Sequence, residues 1–304
     1  MLRNQRAYQL IYDWTKNRCA AAVGAWGGRM VGRAAVGLLG CFKKEGMSEA
    51  ALLQAAEKAK KYYLRPAADT EGWQALQPFG QTEVLVSVIV PVHNGEKDLK
   101  QCLNSILAQE CGSTVEIIAV NDNSTDSSSD ILEEYANWGE VRMVELTKET
   151  GGSAAKARNA GILQAKGEYL LFVDCDDVLL PGAISALLQK AQQTGADIVQ
   201  GGWQYLDGDG EFGAAQRFAE HIYEKRTAYD CLDLPGTPWA KLYRRSLFDE
   251  TRFPAGYTCF EDAVIHFLIF PAAEKIASIS QVVYAWRRNA NGITFTSQGT
   301  KKAV

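Results

Sequence analysis

VLVSVIVPV, residues 84–92, runs nine residues without a charge, and five of the nine are valine. Unbroken, β-branched apolarity is what a strand covered on both faces requires, because neither side of it meets water. The texture downstream repeats that signal. A helical pattern with Leu99, Leu103, Ile106 and Leu107 on one face leads to a second buried run, VEIIAV (115–120). The polar stretch NDNSTDSSS (121–129) then opens a helix carrying Ile131, Leu132 and Tyr135, and VRMVEL (141–146) reads as a third strand. A helix from Ser153 to Ala165, a fourth strand YLLFV (169–173), a helix over Ala183–Gln193 and a strand over Asp197–Tyr205 complete the series. Strands alternating with helices imply right-handed crossovers and a mainly parallel sheet. The fold class expected is therefore α/β, a Rossmann-like mixed sheet flanked by helices. Ligands of such sheets bind beyond the carboxyl ends of the strands, which is where His93-Asn94, Asp122–Asp126 and Asp174–Asp177 fall.

Upstream of residue 84 the sequence changes character. Residues 47–64 are rich in helix formers, and 65–83, with Pro66 and Pro78, predict a linker. The division expected is an N-terminal helical extension with linker over 1–83 and a main domain over 84–304. Residues 1–44 hold eight basic side chains and one acid, although the whole chain has a formal charge of −4. That asymmetry predicts an anionic partner for the N-terminus, such as a membrane surface. Residues 19–42 are apolar, but Arg29 and Arg33 interrupt them, which disfavours a spanning helix. A helix lying on the surface and a helix packed on protein both remain open. The acidic balance of the main domain argues against nucleic acid as a partner.

The chain is 47% hydrophobic and 10% aromatic, enough to bury a core and to exclude wholesale disorder. Its seven cysteines include no CxxC pair, so neither a zinc site nor a disulfide framework is predicted, and a reducing, cytoplasmic setting follows.

The chemistry concentrates in YLLFVDCDDV, residues 169–178, where a strand ends in three carboxylates. Asp174 and Asp176 are two apart, so at a strand end both face one side. Clustered carboxylates stay ionised cheaply only beside a cation. A hard divalent ion, Mg2+ or Mn2+, takes oxygen ligands and shares them with substrate phosphates. On spacing alone a solvated helix start remains open. DGDG (207–210) reads as a hairpin tip rather than a metal loop.

In order, VSVIVPVHN (86–94), VNDNSTDSS (120–128), KARNAGILQAKGEYLLFVDCDD (156–177) and FED (260–262) resemble the family 2 inverting glycosyltransferases, which have the glycosyltransferase A fold. The similarity spans about residues 84–290. It implies a nucleotide-diphosphate sugar donor, UDP-linked by resemblance, a divalent metal, and transfer to an acceptor hydroxyl with inversion. The donor half would be about 84–206 and the acceptor half about 207–304.

Matched by position, Pro91, Val92 and Asn94 would hold the nucleoside, with His93 where relatives often carry an aromatic residue. Asp122 would bind the base. Asn123 replaces the usual glycine, and asparagine tolerates the left-handed turn. Lys156 and Arg158 would lie near the diphosphate, Arg with a fork suited to phosphate; surface helix charge is the alternative for both. Asp174, Cys175 and Asp176 match the metal and ribose signature, with Cys175 a packing residue, and Asp177 falls near the donor sugar.

Asp262 would be the general base that an attacking hydroxyl needs, with Glu261 orienting the acceptor; acids complementing a helix dipole are the alternative. Trp239, Lys241 and Arg287 are candidates for the acceptor side, against a core tryptophan and a solvated lysine; YAWRRNANGIT (284–294) resembles the region that closes over the diphosphate, which Arg287 or Arg288 would contact. The acceptor implied is a bacterial surface polysaccharide, a teichoic-acid-like polymer or a glycolipid. A sugar-nucleotide nucleotidyltransferase would need a glycine-rich basic loop after the first strand, where this chain has PVHNGEKDLK (91–100). An inactive binding scaffold would lose its acids, yet Asp122, Asp174, Asp176 and Asp262 are all present.

Overall fold

A computed structural model describes residues 84–110, 114–146, 154–208, 210–224, 234–249, 251–253, 262, 266, 269–270 and 272–288. The N-terminal extension, its basic segment and Glu261 lie outside the described residues.

The strand at 84–92 forms as its composition requires. β1 (Val84–Val92) lies inside the sheet, paired in parallel with β2 (Thr114–Asn121) on one edge and β4 (Tyr169–Phe172) on the other. β3 (Arg142–Glu145) extends the parallel set beyond β2. The two faces of β1 are covered by different helices. Val86, Val88, Val90 and Val92 pack with α1 (Leu99–Leu107), α2 (Ser128–Asn137) and α4 (Ala183–Thr194), through Leu103, Ile131 and Leu187 among others. Ile89 points the other way, with Ile118, Ala155 and Ile162 of α3 (Ala154–Gln164). Ser87, also on that face, is buried but satisfied: its hydroxyl donates to Glu116 at 2.6 Å and accepts from Gly167 N at 2.8 Å. On α1 the buried stripe is Leu99, Cys102, Leu103 and Ile106, while Leu107 is exposed. That corrects the expected face: spacing i, i+3, i+4, i+7 from Leu99 stops at residue 106.

Among the described residues the sheet has ten strands, with β3-β2-β1-β4-β9-β6-β10-β5 in its main path. β9 (Lys241–Arg244) is antiparallel to both β4 and β6 (Ile198–Leu206), so β6 runs parallel to β1 and β4. β10 (Lys275–Arg287), 13 residues long, follows β6 in parallel with two register shifts. The two-residue β5 (Val178–Leu179) pairs with it at Tyr284 and Ala285. β7 (Phe212–Gln216) folds back on β6 through the turn at Asp207, which closes the hairpin expected from DGDG. β8 (His221–Glu224) pairs with the start of β10. The carboxyl ends of β1, β2, β4, β6 and β10 thus lie along one edge of the sheet. Among the described residues no helix is long and apolar enough to cross a membrane.

Candidate active site

Two left-handed asparagines shape one side of this edge. Asn94 (φ 51°) follows β1 and Asn123 (φ 53°) follows β2. Both turns are accessible because asparagine tolerates that region. The two loops lock together through exchanged hydrogen bonds. Asn94 Oδ1 accepts from Thr125 N at 2.7 Å, Gly95 N donates to Ser128 Oγ at 2.9 Å, and Glu96 Oε2 accepts from Ser127 N at 3.0 Å. Asp122 is buried beside Pro91 and Val92, with its N–H on Val92 O at 2.7 Å and its Oδ1 receiving the Asn123 amide at 3.3 Å. His93 is exposed, and its Nδ1 sits 2.6 Å from Asp122 O; since a carbonyl only accepts, Nδ1 carries the proton. Asn94 thereby serves the loop with its backbone N–H and its side-chain oxygen.

The carboxylates after β4 have unequal surroundings. Asp177 is buried and fully engaged: Tyr284 OH donates to Oδ2 at 2.6 Å and Arg287 N to Oδ1 at 2.7 Å. Burial first, then Asp176 and Asp174, push its carboxyl well above the usual range. Asp177 anchors the loop to β10, which corrects the expectation that it contacts a donor sugar. Tyr284 OH in turn accepts from Asp174 N at 3.1 Å.

Arg287 is likewise buried. Its Nε donates to Asp176 O at 2.7 Å and lies 3.3 Å from Asp98 Oδ1, while its Nη2 reaches Gln101. A guanidinium so spent on protein groups is a brace and not an acceptor ligand, a second correction. Cys175 packs its Sγ against Gly95, where an added Cβ would come within 2.9 Å, and burial raises its thiol pKa. Asp176 is different. It is half-buried, makes no ion pair among the described residues, and burial followed by Asp174 raises it to about 6.

Arg158 on α3 joins the two ends of the candidate chemistry. Its Nη2 meets Asp174 Oδ1 at 2.8 Å and its Nη1 meets Asp262 Oδ1 at 2.9 Å. The arginine is 3% exposed, whereas the side chains of Asp174 and Asp262 are 28% and 30% exposed. A buried fork therefore holds two carboxylates, 88 positions apart in the chain, at the rim of one site. Phe253 lies under the guanidinium, 5.4 Å from ring centroid to Cζ, and is fixed by a reciprocal pair with Asn159: Nδ2 donates to Phe253 O and Oδ1 accepts from Phe253 N, both at 2.8 Å. Asn159 and Phe253 were not legible as site residues; only the ARN triplet (157–159) hinted at the first. Lys156 is half-buried on the same helix.

Beneath Asp262 the floor is buried and polar. His266 Nδ1 donates to Asp262 O at 2.8 Å and its Nε2 accepts from Tyr243 OH at 2.8 Å. Burial, then Lys241, lowers the His266 pKa far below its usual value, so the ring is neutral, consistent with that pairing. Lys241 is fully buried, with Nζ on Thr237 O at 2.5 Å; burial lowers its pKa strongly and Asp262 opposes that. The expectation of a solvated lysine is overturned because β9 is an interior strand. Trp239 is 4% exposed and stacked on Tyr284 at 5.0 Å, so it belongs to the core and offers no face to a sugar.

Comparison with known proteins gives this arrangement a class. The family model described as glycosyl transferase family 2 matches residues 87–252. Glycosyltransferase GlyG of Streptococcus pneumoniae serotype 4 is 33% identical over 224 residues, 70% of this chain and 73% of GlyG. The poly(ribitol-phosphate) beta-glucosyltransferase of Bacillus spizizenii is 32% identical over 68% of this chain but only 33% of its own length. A crystal structure of Staphylococcus aureus TarS 1–349 in complex with UDP superposes with a TM-score of 0.56 at 25% identity, covering 70% of this chain and 62% of that one. The chain belongs to glycosyl transferase family 2, with the mixed α/β sheet of the glycosyltransferase A fold.

Proposed function

We propose that this protein transfers a sugar, with inversion, from a UDP-sugar to a hydroxyl of a bacterial cell-surface polysaccharide or polyol-phosphate polymer. The observation that carries the reading is the buried Arg158 fork, which sets the strand-end Asp174 and the acid Asp262 around one opening. Asp122, beside the end of β1, binds the nucleotide base. Lys156, on the same helix as Arg158, serves the diphosphate. Asp262 takes the proton of the attacking hydroxyl; positioned general bases contribute roughly 10²–10⁴-fold. Arg158 fixes the place of that carboxylate and keeps it from turning toward Asp174.

The chemistry of Asp174 and Asp176 fits a divalent cation, Mn2+ or Mg2+. Asp176 is raised to about 6 by burial and by its neighbour, the condition a cation relieves. Two carboxylates suit an ion that completes its shell with substrate phosphate oxygens. When bound, such an ion supplies positive charge to the departing diphosphate. The names of two relatives above, one acting on poly(ribitol-phosphate) and one seen with UDP, support the donor and acceptor classes. The basic residues within 1–44 give the protein a means of lying against an anionic membrane while it works.

The test is binding and turnover with purified full-length protein and UDP-glucose or UDP-N-acetylglucosamine, with and without Mn2+. Asp176→Asn should lose metal-dependent binding. Asp262→Asn should keep binding and lose turnover by about 10³-fold. Failure of every UDP-sugar to bind under any metal condition would sink the proposal.

A further inference from the structure

The buried floor under Asp262 holds two polar side chains that take no part in the proton transfer itself. Tyr243 and His266 are 1% and 5% exposed. Tyr243 sits in β9 among aromatic rings, with Phe172 and Phe248 edge-on to it at 5.8 Å each. Phenylalanine would fill that space as well, and a buried hydroxyl is costly without a partner. The partner is His266 Nε2 at 2.8 Å, and His266 Nδ1 carries the chain on to Asp262 O at 2.8 Å. Only a neutral imidazole donates at one nitrogen while it accepts at the other, so the chain has one direction. Asp262 and His266 are four apart in helical backbone, but Tyr243 is 23 positions from His266. The bond from Tyr243 therefore ties the main chain that carries Asp262 to the sheet.

That tie starts from a fixed point. β9 pairs with β4, Tyr243 opposite Leu170, so the height of Tyr243 is set by the strand that ends at Asp174. Phe172, two residues before Asp174, also meets the Phe253 ring at 5.3 Å, and Phe253 lies under Arg158. One packed block of rings thus supports two holds on Asp262. Arg158 takes its carboxylate at 2.9 Å, and the Tyr243–His266 pair takes its backbone carbonyl. A carboxylate held at its tip alone still swings with its main chain. Holding both ends leaves it one place.

We infer that Tyr243 and His266 are positioning residues for the general base: they set the Asp262 main chain at a fixed height against β4, while Arg158 sets its carboxylate. This rests on the reading of Asp262 as the base and goes beyond it in naming what places that base. A misplacement of about 1 Å in a reacting geometry can cost about 10²-fold. With the Arg158 fork left intact the error is smaller, and loss of the backbone hold should cost about tenfold in kcat.

The test is UDP release by full-length protein from UDP-glucose and UDP-N-acetylglucosamine with Mn2+, with UDP affinity measured alongside. Water is the acceptor: it gives a proton to Asp262 and its oxygen to the anomeric carbon as UDP leaves, so no other acceptor is required. Tyr243→Phe keeps the ring and removes only the hydroxyl. It should lower kcat about tenfold while donor KM and UDP affinity stay within twofold of wild type. His266→Gln should lose as much, and the double variant no more than the poorer single, because both changes break one chain. If His266→Gln does not fold, Tyr243→Phe decides alone. Wild-type kcat in Tyr243→Phe overturns the inference. So does a fall in kcat matched by a loss of UDP affinity, which marks general loosening, and so do losses that multiply in the double variant. Wild-type protein that turns over neither donor, or turnover that survives in Asp262→Asn, refutes the base reading itself and takes the inference with it.

Discussion

Replacing Arg158 by lysine would keep the charge but lose the fork that reaches Asp174 and Asp262 together. Since one ammonium cannot span both carboxylates, turnover should fall at least tenfold with little change in UDP affinity, read from initial rates and calorimetry. Stability should respond asymmetrically. The guanidinium is 3% exposed and its partners about ten times more so. Arg158→Met leaves two carboxylates that water can reach, whereas Asp174→Asn with Asp262→Asn strands a buried cation. Stranding a buried charge costs about 3–5 kcal/mol, so in urea the double variant should be the weaker of the two.

Asp176 carries a pH prediction of definite sign. Its folded pKa of about 6 lies above the unfolded carboxylate value. Its contribution to stability is therefore complete below the unfolded value and lost as pH rises through 6. A divalent ion favours the ionised form, so the metal-induced rise in Tm should grow between pH 5 and 7.5 and vanish in Asp176→Asn. A rise independent of pH across that window would contradict the assignment. At this scale the sequence marked the acids but not their exposure. Asp176 and Asp177 are adjacent, yet only the second is sealed under Tyr284 and Arg287, more than 100 residues away. Lys241 went astray for the same reason: its burial is decided by β9 becoming an interior strand.

Among the elements, α3 is held close against the sheet. A Cβ built on Gly161 would sit 2.4 Å from Ile89 Cγ2 in the middle of β1. Alanine gains about 1 kcal/mol over glycine in a helix interior, but overpacking a filled core costs about 1–3 kcal/mol. Ile89 is β-branched and wholly buried, so it has no room to yield, and the packing cost wins. Gly161→Ala should lower urea stability by up to about 2 kcal/mol on that reckoning. Because Arg158 lies one turn earlier on the same face, turnover should fall as well. Stability equal to or above wild type would show that α3 can slide on the sheet. Apart from the two-residue β5, helices and strands up to β6 were legible because hydrophobic period and turn residues agree there. β9 and β10 were not: KLYR is too short to show a period, and the register shifts between Ser278 and Tyr284 break the alternation of β10.

For the whole molecule, the site edge draws on segments that meet nowhere in the sequence: the β1 and β2 loops, the β4 carboxylates, α3 and Asp262. A donor touching several of them should stiffen the domain as a unit. Ligand at 100 times its Kd stabilises by about 2.7 kcal/mol. For a domain of this size that corresponds to a Tm rise of about 5–10 °C, at roughly 2–4 °C per kcal/mol. The increments should separate by variant. UDP with Mn2+ should give the full shift in wild type and in Asp262→Asn, because the base is not needed for donor binding. Asp122→Ala should lose most of it, and Asp176→Asn should retain only the part that UDP gives without metal. Equal shifts in all four proteins, followed by differential scanning fluorimetry, would mean that UDP binds somewhere other than the edge where these residues converge. The Arg158 fork would then be a structural clasp with no substrate to position.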